Sequence, residues 1–287
     1  MKKNKKLCLI LLAFSCLIIT SCANSGNPIV EQKPETNYPG DQQFIAPTPS
    51  PMQVVQGTGL DNKKISWGFK KINNQQPDVP KAWKDMLSRF DGYYLGNTSK
   101  KVLYLTFDEG YENGYTGKIL DTLKTTSTPA AFFVTGPYLD REAALVKRMT
   151  DEGHIVGNHT INHPSMPSVV DDEKLKKELT VLDEKYYALT QKNMKFVRPP
   201  MGEFSERTLA ISKNLGYKTI FWSSAYVDWN VNSQKSANYA FEQVTNQFHN
   251  GAIILLHAVS KDNMEALPEI IKDARSKGYT FESLNEL

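Results

Sequence analysis

From Lys101 onward the chain repeats one pattern, a short β-rich run followed by an amphipathic helical stretch, and this alternation constrains the fold more than any other feature. The runs are Val102–Phe107, Ala130–Thr135, His154–Asn158, Lys195–Arg198, Lys218–Ser223, Ala252–Leu256 and Tyr279–Glu282. Between them lie helical stretches such as Glu142–Glu152, Glu173–Thr190, Ser205–Leu215 and Met264–Lys277. Strands joined through helices pair in parallel, so the pattern predicts an α/β protein with a parallel sheet. Seven such units in about 185 residues, without a Gly-rich phosphate loop, favour a closed or nearly closed barrel. An open flavodoxin-like sheet is the alternative.

The polar residues of chemical interest sit where these runs end. Asp108 and Glu109 follow the first, Asn158 and His159 the third, Arg198 ends the fourth, and His257 follows the sixth. Asp228 lies a few residues beyond the fifth. In a βα barrel those positions converge on one face, where active sites form.

Each signal is weak alone. Two adjacent acids after Leu105-Thr-Phe are ordinarily a solvated turn, but at a buried strand end they repel unless a cation or proton intervenes. His159 and His163, four residues apart, would share one side of a helical turn, a spacing suited to two ligands of one Zn²⁺-type ion. His154, on a strand, reads as a packed core histidine. A carboxylate with two histidines leaves open positions for water and substrate, as a catalytic metal requires. Arg198 can hold Asp108 through two hydrogen bonds, and Asp228 can orient His257, giving an oriented base and an oriented acid.

The N-terminus reads as an export signal. Lys2, Lys3, Lys5 and Lys6 precede an apolar run from Leu7 to Ile19, too short for a comfortable membrane span. The run ends Ile19-Thr-Ser-Cys22, which resembles the lipobox of bacterial lipoproteins, where the cysteine thiol is acylated. Cys8 and Cys16 fall in the removed segment, so no disulfide is expected. Removing residues 1–21 takes four lysines from a formal charge of +3 and leaves −1. A near-neutral mature surface lacks the footprint of a nucleic-acid binder. The expected organisation is a signal peptide over 1–21, a Pro/Asn/Gln/Ser-rich tether over 22–60, an aromatic-rich extension packed on the barrel over 61–100, and the catalytic domain over 101–287.

Thr-Phe-Asp-x-Gly, His-Thr-x-x-His, Arg-Pro-Pro-x-Gly, Asp-Trp and Leu-x-His, in this order, resemble the five motifs of the polysaccharide deacetylases, carbohydrate esterase family 4. Trp67-Gly-Phe-Lys70, Tyr94-Leu-Gly-Asn97, Tyr111-Glu-Asn-Gly-Tyr115 and His257-Ala-Val-Ser-Lys-Asp-Asn263 further resemble the muramic-δ-lactam-forming deacetylases of endospore formers. The resemblance implies a distorted (β/α)7 barrel of the deacetylase type. It implies Asp108 as base with Arg198 as its tether, and His257 as acid with Asp228 as its partner. Glu109, His159 and His163 would bind one divalent metal, Zn²⁺ by expectation. The backbone of Met201 would meet the oxyanion, and Trp229 and Leu255 would line the acetyl pocket. Glu109 departs from the family's usual aspartate by one methylene, and Met201 stands where an aromatic residue is common.

The expected substrate is N-acetylmuramic acid of spore-cortex peptidoglycan, in glycan strands already stripped of peptide by an amidase. The expected location is the outer face of the cytoplasmic membrane, anchored through lipidated Cys22. N-acetylglucosamine polymers are the runner-up substrate. A glycan-binding lipoprotein without catalysis is a second reading, and a metallopeptidase a third, disfavoured by the lack of a His-Glu-x-x-His motif.

Overall fold

Strand β3 (Val102–Glu109) is buried along its whole length, and the rest of the domain is arranged around it. The computed structural model describes residues 59–287; the expected signal peptide, Cys22 and nearly all of the expected tether lie outside the described residues. Ahead of β3 come β1 (Ile65–Ser66), α1 (Lys81–Arg89) and β2 (Gly92–Tyr93). After it the chain alternates through α2 (Thr116–Thr125), β4 (Ala130–Val134), α3 (Gly136–Arg141), α4 (Ala143–Asp151), β5 (Ile155–Asn158), α5 (Asp172–Thr190) and β6 (Phe196–Val197). It continues through β7 (Glu203–Phe204), α6 (Glu206–Asn214), β8 (Lys218–Ile220), α7 (Ala237–Thr245), β9 (Ala252–His257), α8 (Lys261–Ser276) and β10 (Thr280–Phe281).

All seven β-rich runs of the sequence contribute strands to one parallel sheet, with β9, β3, β4, β5, β6 and β8 side by side. The sheet curls until a parallel bridge between Ser224, just past β8, and Ile254 of β9 brings its ends together. Strand β10 pairs only with the first two residues of β3, which distorts the barrel. The segment before β3 adds β2 to the sheet beside β8, and pairs β1 antiparallel with β7. Trp67 packs there against Phe204 and Phe221, with ring centroids 6.4 and 4.7 Å away.

The pleat of β3 sorts its side chains into two layers, since successive residues point to opposite faces. Leu103, Leu105 and Phe107 join the core between sheet and helices, with Ile119, Leu120 and Tyr138. Val102 and Tyr104 join the smaller core inside the barrel, with Phe133 and Phe196. The parity continues to the strand's end, and it decides which acid faces the barrel mouth.

Candidate active site

Asp108 has the parity of Tyr104 and Thr106, so its carboxylate enters the mouth of the barrel. There the Arg198 guanidinium, fully buried, donates from Nη1 to Asp108 Oδ1 at 2.7 Å, from Nη2 to Thr106 Oγ1 at 2.9 Å and from Nε to the Ile220 carbonyl at 3.2 Å. Its flat face lies over the Phe133 ring, 4.1 Å from the centroid. Three directed bonds and a stacked ring leave the guanidinium a single orientation. Burial alone would push the Asp108 carboxyl upward; the Arg198 guanidinium, foremost among its neighbours, overrides it by charge and hydrogen bond and holds the carboxyl below its ordinary value.

His159 leaves the end of β5. Its Nδ1 lies 2.8 Å from the Arg198 carbonyl oxygen, a contact that requires the proton on Nδ1. Nε2 therefore presents a lone pair, 3.5 Å from Asp108 Oδ2. Burial, partly offset by Asp108, pulls the imidazole down to about 4, so it is neutral at physiological pH. The His163 ring meets it edge-on with centroids 4.8 Å apart.

The two histidines come together in a way their spacing did not predict. Residues 159–163 are not helical; the segment is a loop in which Thr160 and His163 take left-handed backbone angles, φ 65° and 57°. His163 N–H donates to Thr160 Oγ1 at 2.9 Å and folds the loop back on itself.

Glu109 is not part of this cluster. With the parity of Leu105 and Phe107, it points through the other face of the sheet, beneath α2 and α3. Its neighbours there are Glu112, Thr116 and Tyr138, and neither carboxylate oxygen has a hydrogen-bond partner. Burial, followed by the charges of Glu112 and Asp108, drives its pKa well above the ordinary value. The expectation of Glu109 as a metal ligand is therefore corrected: β3 runs two residues past the predicted Phe107, and the pleat puts adjacent acids on opposite faces.

Beside Asp108 at the mouth, on the neighbouring strand and in register with it, His257 ends β9. Its Nδ1 contacts Asp228 Oδ1 at 2.7 Å, and its backbone N–H donates to Asp228 Oδ2 at 2.8 Å. Burial lowers the imidazole's proton affinity, but Asp228 and Asp108 more than compensate, and its pKa ends above the ordinary 6.5. With Nδ1 committed to Asp228, Nε2 is the nitrogen left for substrate. The Trp229 ring stands 5.6 Å from the His257 ring and remains half exposed.

Asp108, His159, His163, Leu255 and His257 line a cavity of about 490 Å³. Met201, exposed, also lines it, with φ 58°, a left-handed backbone unusual for a side-chain-bearing residue. Tyr111 and Trp222 also line the cavity, as no strand-end pattern could indicate. His154 packs its ring edge-on against Phe132, 5.6 Å between centroids, and does not line the cavity.

Among the described residues no three His, Cys, Asp or Glu side chains gather as a ligand set. The chemistry of the pair His159 and His163 nonetheless fits a cation. A neutral imidazole offers its Nε2 lone pair beside a carboxylate oxygen, and two acceptors face each other until a proton or cation joins them.

Residues 95–220 match the polysaccharide deacetylase family. The chain is 47% identical to the peptidoglycan-N-acetylmuramic acid deacetylase PdaA of Bacillus subtilis over 237 residues, 82% of this chain and 89% of that one. A peptidoglycan-N-acetylglucosamine deacetylase of Bacillus cereus is 32% identical over 218 residues, 75% of this chain and 77% of the other. The chain belongs to the polysaccharide deacetylases, carbohydrate esterase family 4, and is a hydrolase of the deacetylase type. Its fold is similar to the solved structure of B. subtilis PdaA, with a TM-score of 0.77 at 47% identity, covering 79% of this chain and 98% of that one.

Proposed function

We propose that this protein hydrolyses the N-acetyl group of N-acetylmuramic acid in peptidoglycan, freeing the amine that spore-cortex muramic δ-lactam requires. The observation that carries the reading is the placement, on neighbouring strand ends lining one cavity, of a carboxylate fixed by Arg198 and an imidazole fixed by Asp228. Substrate class follows the stronger relationship, 47% identity to a muramic acid deacetylase against 32% to a glucosamine deacetylase.

Asp108, ionised over the physiological range, accepts a proton from a water at the cavity floor as that water's oxygen bonds to the acetyl carbonyl carbon. The carbonyl π pair moves onto oxygen, and the resulting negative charge meets the Met201 backbone N–H. His257, whose hold on a proton Asp228 strengthens, gives its Nε2 proton to the amide nitrogen while the C–N bond breaks. Acetate and a free amine leave, and the proton held by Asp108 returns to His257 through solvent. Leu255 and Trp229 bound the space for the acetyl methyl. A divalent ion of the Zn²⁺ type, which His159 and His163 would hold, would supply electrostatic stabilisation of the developing negative charge.

The reading extends to location: export through the N-terminal signal and an acyl anchor on Cys22 would place the domain at the outer membrane face, facing the wall. Its substrate there would be glycan already cleared of peptide by an amidase. Mass spectrometry of muropeptides from cells lacking the protein tests the assignment. Loss of muramic δ-lactam with retention of N-acetylated muramic acid is expected, and an unchanged profile refutes it.

A further inference from the structure

Asp228 does more than touch His257. Its carboxylate is 2% exposed and accepts three hydrogen bonds, and the third comes from a residue outside the five motifs. Asn263 Nδ2 donates to Asp228 Oδ2 at 2.6 Å, beside the His257 backbone N–H at 2.8 Å on the same oxygen. Asn263 is itself buried, 1% exposed, in the first turn of α8.

The orientation of that amide is dictated from both sides. Its Oδ1 accepts the Tyr226 hydroxyl at 2.5 Å, and Tyr226 is buried, with a pKa raised by that burial, so the hydroxyl keeps its proton and remains a donor. A flipped amide would set its own oxygen against the Asp228 carboxylate, acceptor against acceptor. The backbone is fixed as well: Asn263 N–H donates to Ser260 Oγ at 3.2 Å, capping α8, and Ser260 Oγ donates in turn to Gln234 Oε1 at 2.6 Å. Gln234 Nε2 donates to the Asp228 carbonyl at 3.0 Å, closing a ring of contacts around the loop that carries Asp228.

Of the other two bonds, the His257 backbone N–H holds Oδ2 at the end of β9, while the movable imidazole Nδ1 holds Oδ1. Asn263 grips Oδ2 from a different element, α8, so that the carboxylate facing the imidazole is held between a strand end and a helix. A general acid delivers its proton along one line, and small misplacements of such groups cost large factors in rate. We propose that Asn263, oriented by Tyr226, is a positioning residue that locates the Asp228–His257 pair for proton delivery to the leaving amine. The inference rests on the reading of His257 as the acid.

The test compares hydrolysis of an N-acetyl glycan with hydrolysis of 4-nitrophenyl acetate. The amine needs a proton to leave; 4-nitrophenolate does not. Asn263→Ala is expected to lower the amide-to-ester ratio of kcat roughly 10- to 100-fold with KM little changed, a fraction of the roughly 10²–10⁴-fold that a positioned acid contributes. Tyr226→Phe, which removes one hydroxyl and leaves the packing, should shift the ratio in the same direction by a smaller factor. His257→Ala measured alongside separates the two ideas. If it lowers both substrates alike, the assignment of the acid fails. If it shifts the ratio while Asn263→Ala and Tyr226→Phe keep the wild-type ratio, whether their rates are intact or reduced equally on both substrates, the inference about Asn263 is overturned.

Discussion

Replacing Arg198 by methionine should be among the most destabilising single changes in this domain. The guanidinium is fully buried, and its removal leaves the Asp108 carboxylate, 6% exposed, without its hydrogen-bonded cation. Breaking a buried pair from one side costs about 3–5 kcal/mol, because an uncompensated charge remains. Methionine keeps part of the packing on Phe133 but none of the bonds to Asp108, Thr106 or the Ile220 carbonyl. At about 2–4 °C per kcal/mol for a domain of this size, the melting temperature should fall by about 6–20 °C. Urea denaturation should move the midpoint without changing the slope. Adding Asp108→Asn to Arg198→Met removes the stranded charge, so the double variant should recover stability, with a coupling toward the upper end of the roughly 0.5–3 kcal/mol range for contacting residues. A loss below about 1 kcal/mol for Arg198→Met, or strict additivity in the cycle, would refute the view that this ion pair is the rigid half of the site.

Three further outcomes follow from the same geometry. Glu109→Gln should retain activity and metal binding and be at least as stable at neutral pH: the native carboxyl has a folded-state value well above 4.5, so its contribution is fully present below that value and is lost as pH rises through the folded one. Thermal melts across pH should show a flatter profile for the glutamine variant, and loss of activity would return Glu109 to the site. Turnover should fall as pH rises through the His257 value, which lies above 6.5, because the acid must be protonated, and a kcat profile that holds flat well above that value would contradict the assignment. Purified protein should bind about one Zn²⁺-type ion, lose it on His163→Ala and lose turnover on chelation; full activity in protein shown by elemental analysis to be metal-free would remove the ion from the reaction.

Much of the site was legible because strand ends in a βα barrel share one face. Asp108, His159, Arg198 and His257 could be placed together from the ends of four β-rich runs before any distance was known. Glu109 was misplaced by the same logic. Sequence periodicity ended the first run at Phe107, and two acids beyond a strand end can both turn inward, whereas two acids within a strand cannot. The His159–His163 spacing brought the right pair together for the wrong reason: the loop's left-handed residues, rather than a helix, supply the proximity. Asn263 stood in a sequence motif, but its contacts with Tyr226 and Asp228 were out of reach, because Tyr226 and Asn263 meet across 37 residues of chain, through a capped helix and a loop whose approach only the packed structure defines.

The proposed function has Asp108 and His257, neighbours in one cavity, hydrolyse the acetamide of muramic acid. The decisive measurement is mass spectrometry of peptide-free glycan strands after incubation with the purified domain, with the free amine located by fragmentation. Acetate in solution and new amines on the muramic acid residues are expected, abolished by Asp108→Asn. Amines confined to glucosamine residues, or retention of the protein on glycan without acetate release, would contradict it.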